Sequence, residues 1–532
     1  MENTKIIGIA CTLVLLMVSS CKSDKKKNIS KQNIVTVLHT NDIHGSYKPF
    51  YAFKGNATAQ TGDSVDNYMT FPKNGEIGGF ARIASAIKSI RSKKDSTSVL
   101  LLDGGDTFSD DLLSNITKGE VVISLMNELD YDMMVLGNHD FDYGLERTKE
   151  LARLANFPMR AANVIDSTTN EPIFNEAYKI IEKNNVRIGV LPIAYRNTNL
   201  TGNPKNMEGI RFEQGLSTIK KYLPELRAKS DIIIVLSHEG MSVDKIIAEE
   251  IDGIDLIVGA HSHDLIQPPY KSNGTFVVQA MSDAAVLAET ELIIENKRLK
   301  DINTNYHFLY ADEWEEDEKI LKSIQDYRFE HKKELEEYVA MAKTPIGRQY
   351  KEESPFDKLV TSILMDEMSS DVAFMPGVGY GITLQNKIHK ENVFKLIPHN
   401  SKIITLNLTG KQLLELLEQT ATNLKSKDKM NTVGGLLQSS GIVYTLDLSK
   451  SLGERIHTVQ IDGKDIDLNK RYKVATHSGM LNGIHNYTQF AEGTYIQKTD
   501  INLNDFIVQK LQEMKNINFP KNMGEVTMLN TH

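Results

Sequence analysis

Short apolar runs recur through the first part of the chain, at residues 34–38, 99–102, 133–136, 188–191, 232–236 and 256–258. Each is only three to five residues long and, apart from Thr36 in the first, carries no polar break, the pattern of a strand buried on both faces. Between them the period changes. Residues 82–90, 121–129 and 148–154 carry apolar side chains at helical spacing, which predicts amphipathic helices. Strands alternating with helices predict an α/β layout. Residues 50–76 are polar and unpatterned and read as a surface loop insertion.

Around Asp312 the composition shifts. Residues 312–338 are densely charged, with Ile320 and Ile324 at helical spacing, and predict a solvated connecting helix. Beyond Pro345 a second unit begins, with helices expected at 358–368 and 411–419 and a hairpin turning at Asp462-Gly463.

A chain of 532 residues exceeds one ordinary core, in keeping with two domains. Its 61 basic and 70 acidic side chains give a formal charge of -9, which argues against nucleic acid as a partner. Only Cys11 and Cys21 are present, so a disulfide scaffold and a cysteine-rich zinc site are excluded. Lys5 precedes an apolar run over residues 6–18, placed like a secretory signal and short for a membrane span. The run ends in Val18-Ser19-Ser20-Cys21, which resembles the lipobox of bacterial lipoproteins. That resemblance implies a signal peptide over 1–20, acylation of Cys21 and a lipid-anchored tether over 21–32. The folded part is then expected outside the cytoplasm, at the periplasmic face or cell surface.

Candidate chemistry gathers at the ends of the buried strands. The first run leads into His39-Thr40-Asn41-Asp42-Ile43-His44-Gly45, the second into Asp103-Gly104-Gly105-Asp106, and the third into Gly137-Asn138-His139-Asp140-Phe141-Asp142. The fifth leads into Ser237-His238-Glu239 and the sixth into Gly259-Ala260-His261-Ser262-His263. Ligands bind in α/β sheets beyond the carboxyl ends of strands, and five such ends here carry imidazole, carboxylate or amide groups. That donor chemistry suits borderline divalent metals, Zn, Mn, Fe or Co. There are too many donors for one tetrahedral ion, and a two-metal hydrolytic centre accounts for the surplus.

The same series, Asp42-x-His44, Gly105-Asp106, Gly137-Asn138-His139-Asp140, His238 and Gly259-x-His261-x-His263, resembles the calcineurin-like metallophosphoesterases. The longer wording around Asp42 and His139, with Lys118-Gly119, Met126-Asn127 and Ala162-Asn163, is similar to the bacterial 5′-nucleotidase/UDP-sugar hydrolase family. The resemblance implies a metallophosphoesterase β-sandwich flanked by helices over 33–311, a linker helix over 312–343, and a separate α+β C-terminal substrate domain over 344–532. It also implies that Asp42, His44 and His263 hold one metal, that Asn138, His238 and His261 hold the other, and that Asp106 bridges them. Water between the ions would attack a phosphate ester, most simply of a nucleotide. His139 would be catalytic, oriented by Asp142. Capping of the following helix is the other use open to Asp142, while Asp140 and His39 read as supporting groups around the ligands.

The C-terminal resemblance is looser. Gly381 stands where the family has an arginine for the phosphate, and Leu436 and Gly479 stand where it has aromatics for a base. Pro398-His399-Asn400 replaces its Pro-Phe-x-Asn, and His485 replaces an aspartate. No substrate-binding residue is assigned. Two classes follow: a phosphohydrolase, with cyclic-nucleotide phosphodiesterase or UDP-sugar hydrolase as variants, or a lipid-anchored ligand-binding or surface-interaction protein on the same scaffold.

Overall fold

The computed structural model describes residues 33–54, 71–431 and 433–530. The expected signal peptide, Cys21 and the tether lie outside these residues, as does most of the expected loop insertion. The ends of that insertion pair as a small antiparallel ribbon, Phe50–Ala52 against Gly75–Ile77. Among the described residues no helix is long and apolar enough to cross a membrane.

All six apolar runs are strands, and they fall into two stacked sheets. One six-stranded sheet is ordered Arg298–Phe308, Val286–Glu295, Asn33–Thr40, Val99–Asp103, Met133–Val135, Met159–Arg160. The other is ordered Tyr270–Ser272, Thr275–Val278, Leu256–Val258, Ile232–Ser237, Val186–Ile193, Lys179–Lys183. The inner strands run parallel, so their carboxyl ends emerge on one side. Val35, Val37, Leu100, Leu102, Ile188, Ile232 and Ile234 close the space between the sheets. Helices cover the outer faces. The helix Phe80–Ser92 buries Phe80, Ile83, Ala84, Ile87 and Ile90, the stripe its sequence predicts.

The connecting helix is shorter than expected. It spans Glu318–Leu335, starting where the Asp317 carboxylate accepts from Ile320 N at 3.1 Å. Ile320 and Ile324 are its buried face. The chain then enters the strand Tyr338–Ile346, which pairs with Leu384–His389 of the second unit, so the strand crosses the expected boundary at 344. The change is physical: residues 338–343 gain ladder hydrogen bonds that a prolonged helix would forgo.

The second unit is α+β. Its five-stranded sheet is ordered Gln438–Ser440, Val372–Met375, Arg471–His477, Lys402–Thr409, Thr494–Asn502, with the helices Pro355–Glu367, Gly410–Leu424 and Leu503–Met514. The expected hairpin is present: Ile461 pairs with Lys464 across Asp462-Gly463, both at positive φ. The two units pack together. Arg328 of the connecting helix reaches Tyr47 and Glu391, Lys48 also pairs with Glu391, and Asn115 donates to Pro398 O at 2.7 Å. Lys395 donates to the carbonyl of His44.

Candidate metal centre

The carboxyl ends of the strands bring six of the seven predicted residues into two adjoining groups. Asp42, His44 and His263 form one and Asp106, His238 and His261 the other, the donor atoms of each group lying within 4.8 Å of one another. The groups touch: His238 Nε2 is 3.0 Å from Asp106 and 3.9 Å from Asp42. Asn138 borders the same cavity with Asp106, His261 and His263. The backbone is strained where these side chains attach. Asp42, His44, Asp106, His261 and His263 all have φ between 49° and 73°, a left-handed conformation that costs such residues roughly 1–2 kcal/mol each. It persists because the loops lock onto one another. Asp42 N donates to Gly105 O, His44 N to Asp106 O, and His261 N to the Asp42 carboxylate, all within 3.0 Å.

Supporting groups set the ring orientations. His44 Nδ1 lies 2.7 Å from Asp110, and His238 Nδ1 lies 2.6 Å from Gly104 O. Those partners hold a proton on Nδ1 and turn each Nε2 inward. His44 Nε2 and His263 Nε2 then stand 3.1 Å apart, two ring nitrogens converging on one point. Among the described residues the buried Asn138 Oδ1 has no hydrogen-bond partner. Converging ring nitrogens and an orphaned amide oxygen beside carboxylate groups fit divalent cations. Asp140 is fully buried and accepts from Asp106 N, Thr107 N and Gly137 N, so it ties the second and third strand-end loops together.

Burial opposes ionisation of Asp42 and Asp106, yet His263 beside the first and His238 beside the second hold both below the usual carboxylate range. Burial likewise would lower His238, but Asp106 carries it up to about 10. His139 lies beside the cluster, its N–H donating to Asp106 at 2.7 Å. Its Nδ1 is 2.8 Å from Asp142 and 3.6 Å from Asp110. Burial pulls its pKa down, and these carboxylates more than reverse that, so the imidazolium is favoured. Asp142 does not cap a helix: Gly144 occupies that place before Leu145–Leu154. His39 is fully buried between the sheets with neither ring nitrogen bonded, and burial lowers it to about 3. It supports no ligand.

A cavity of about 200 Å³ joins this cluster to the C-terminal domain. Of the positions compared with family substrate residues, Pro398, His399 and His485 line it, whereas Gly381, Leu436 and Gly479 do not. Leu436 is fully buried in the core of that domain. Tyr195, Tyr350, Tyr380 and Arg348 line the cavity as well. Arg348 is already committed, with Nε and Nη2 on Asp357 at 3.0 and 2.7 Å. Asp110, Tyr195, Tyr350 and Arg348 carry no periodic or motif signal in the sequence, whereas His399 and His485 stand at positions compared with the family.

Residues 35–265 match the calcineurin-like phosphoesterase family and residues 335–492 the 5′-nucleotidase C-terminal domain. The chain belongs to the two-domain 5′-nucleotidase family of metallophosphoesterases. It is 26% identical over 493 residues to the 5′-nucleotidase of Vibrio cholerae, covering 82% of this chain and 83% of that protein. Its fold is that of a 5′-nucleotidase precursor from Thermus thermophilus, with a TM-score of 0.82, 24% identity and coverage of 94% and 100%. It is also that of the sulfate thiohydrolase SoxB from Thermus thermophilus, with a TM-score of 0.83, 22% identity and coverage of 93% and 97%. The family is one of phosphate-ester hydrolases that use divalent metals, and this chain is an enzyme of that kind.

Proposed function

We propose that the chain hydrolyses phosphate monoesters, nucleotides or close relatives of them, with two divalent ions, outside the cytoplasm and tethered through lipidated Cys21. The observation that carries the reading is the pair of adjoining donor groups with His139 and Asp142 beside them. Asp42, His44 and His263 would hold one ion and Asn138, His238 and His261 the other, with Asp106 shared. The ions, when bound, supply Lewis acidity toward the phosphoryl oxygens and the attacking water. Their identity is among Mn, Zn, Co and Fe on donor chemistry.

The chain's own residues do the rest. His139 carries a proton that Asp142 and Asp110 keep on the ring, and its Nε2 donates to the leaving oxygen or the phosphoryl group. Tyr195 lies against His261, with centroids 3.9 Å apart, and fixes that ring. The C-terminal wall receives the alcohol. Since the fold alone also serves a protein called a sulfate thiohydrolase, the ester must be found by assay.

The test is a phosphate-release screen with soluble protein starting after Cys21, supplied with Mn, Zn or Co. Its panel spans nucleotides, cyclic nucleotides, UDP-sugars and aryl phosphates. Turnover of monoesters supports the reading, and two bound metals without turnover of any ester refutes it. For the anchor, Cys21→Ala should release the full-length protein from membranes or leave it unprocessed. Normal membrane retention of the processed variant would exclude lipidation.

A further inference from the structure

Two loops of the C-terminal domain reach His139. The first brings His399, whose ring lies parallel to that of His139, with centroids 5.3 Å apart and an angle of 6° between planes. Its Nδ1 is 3.5 Å from Asp142 Oδ2, the oxygen already bonded to His139. Its Nε2 is 2.9 Å from the Tyr380 hydroxyl and 3.6 Å from Asp110. The second loop brings Tyr380, stacked on His44 at 5.3 Å and meeting His139 edge-on at 5.4 Å. One buried side chain braces both loops. Arg348 Nη1 donates to the carbonyls of Tyr380 and Leu396, at 3.3 and 2.7 Å, while Asp357 holds the rest of its guanidinium.

A single bond from His139 Nδ1 to Asp142 fixes one direction. The ring can still swing about that axis, and the swing displaces Nε2. A parallel ring laid on its face removes this freedom. Both nitrogens of His399 face Asp142, Asp110 and Tyr380, so its polar edge is turned toward the carboxylates that flank His139. We propose that His399, bonded to Tyr380 and braced by Arg348, is a positioning residue of the hydrolytic site that fixes the plane of His139. The inference rests on the role given to His139 above. It also makes the C-terminal domain part of the catalytic apparatus as well as a substrate wall.

The experiment compares His399→Ala, His399→Phe, Tyr380→Phe and the double variant His139→Ala/His399→Ala. Misplacement of a catalytic group by about 1 Å costs on the order of a hundredfold. His399→Ala should therefore lower kcat by roughly ten- to a hundredfold, with metal content kept and little change in KM. His399→Phe restores a flat face and should recover most of the loss, and Tyr380→Phe, which removes one hydroxyl, should lose less than His399→Ala. In the His139→Ala background the second substitution should add almost nothing, because a residue acting through another loses its effect with it. A readout without turnover follows the His139 ring by NMR of 13C-labelled histidine. Its signal should broaden in His399→Ala and sharpen again in His399→Phe. An additive loss in the double variant, loss of metal in His399→Ala, or an unchanged His139 signal overturns the inference. Absence of esterase activity in the wild type would refute the proposed function instead, and the NMR comparison would still decide the role of His399.

Discussion

Gly137→Ala is the most searching substitution for the metal centre, because its cost comes from one close approach and nothing else. Gly137 does not have positive φ, so alanine meets no backbone strain there. The obstacle is space. An added Cβ would lie 2.1 Å from Asp106 Oδ1, 2.5 Å from Asp106 N and 2.6 Å from His238 Cε1. Ordinary contact begins near 3.4 Å, so the loops carrying Asp106 and Asn138 must separate by more than 1 Å. Neither can yield cheaply, since Asp140 bonds to both. Metal ligands tolerate about 0.2 Å, and overpacking costs about 1–3 kcal/mol. The expected result is metal content falling below two per chain, and kcat/KM reduced by at least a hundredfold, about 2.7 kcal/mol of transition-state stabilisation. Gly144→Ala is the control. Its φ is +88° and ψ 154°, a region nearly confined to glycine, with nothing within 4 Å of an added Cβ, so alanine there should cost on the order of 1–3 kcal/mol of stability and no activity. Elemental analysis, steady-state kinetics and thermal unfolding read all three quantities. A Gly137→Ala protein with two metals and activity within threefold of wild type would refute the argument from loop contact.

Chelation should abolish phosphate release and added Mn or Co restore it, with Asp106→Ala costing more than His44→Ala or His261→Ala because it serves both donor groups; metal-independent turnover would exclude the mechanism. His139→Ala should lower kcat by roughly a hundred- to ten-thousandfold with metal content retained, and Asp142→Asn by less, with alkyl phosphates losing more than aryl ones if the leaving oxygen is protonated. Far from the centre, His307 and Lys94 hold the Glu289 carboxyl down to about 2. Its folded pKa is depressed, so its stabilisation is present above about 4.5 and is lost as pH falls toward about 2. After solvent screening it should amount to on the order of 1–2 kcal/mol. Urea unfolding of Glu289→Gln should thus differ from wild type at pH 7 and match it at pH 2; equal stability at both values would refute the pairing.

Much of the fold was legible because the inner strands are buried on both faces and hold few polar residues. Residues 232–236 had to be apolar, and the strand gained only Ser237, whose backbone pairs with Ile193. The outer strands Val286–Glu295 and Arg298–Phe308 escaped notice. Their exposed faces accept Glu, Lys and Asn, and their turn is Asn296-Lys297, at φ of 51° and 64°, without the glycine that marks such hairpins. The connecting helix was overextended because charge density signals solvent exposure, which a helix and a partly exposed strand share. Residues 338–343 became strand because Leu384–His389 and Asn516–Ile517 offered partners on their two sides, and pairing at such sequence distance leaves no local trace.

The seven metal-ligand candidates were legible for a related reason. Each follows or ends a buried strand, and the parallel order of those strands turns sequence position into spatial position. No such rule operates in the C-terminal domain. His399 and Tyr380 come from loops, and what brings them to His139 is an Arg348–Asp357 pair, two ordinary residues nine positions apart. Matching the chain to family substrate positions therefore led to Gly381, Leu436 and Gly479, which do not line the cavity, as well as to His399 and His485, which do. The physical consequence concerns specificity. Strand ends fix the metal chemistry almost independently of what surrounds them, whereas the leaving-group wall consists of loops free to exchange an arginine or aromatic for another side chain without disturbing the core. A chain can thus keep the hydrolytic centre of its family while accepting a different ester.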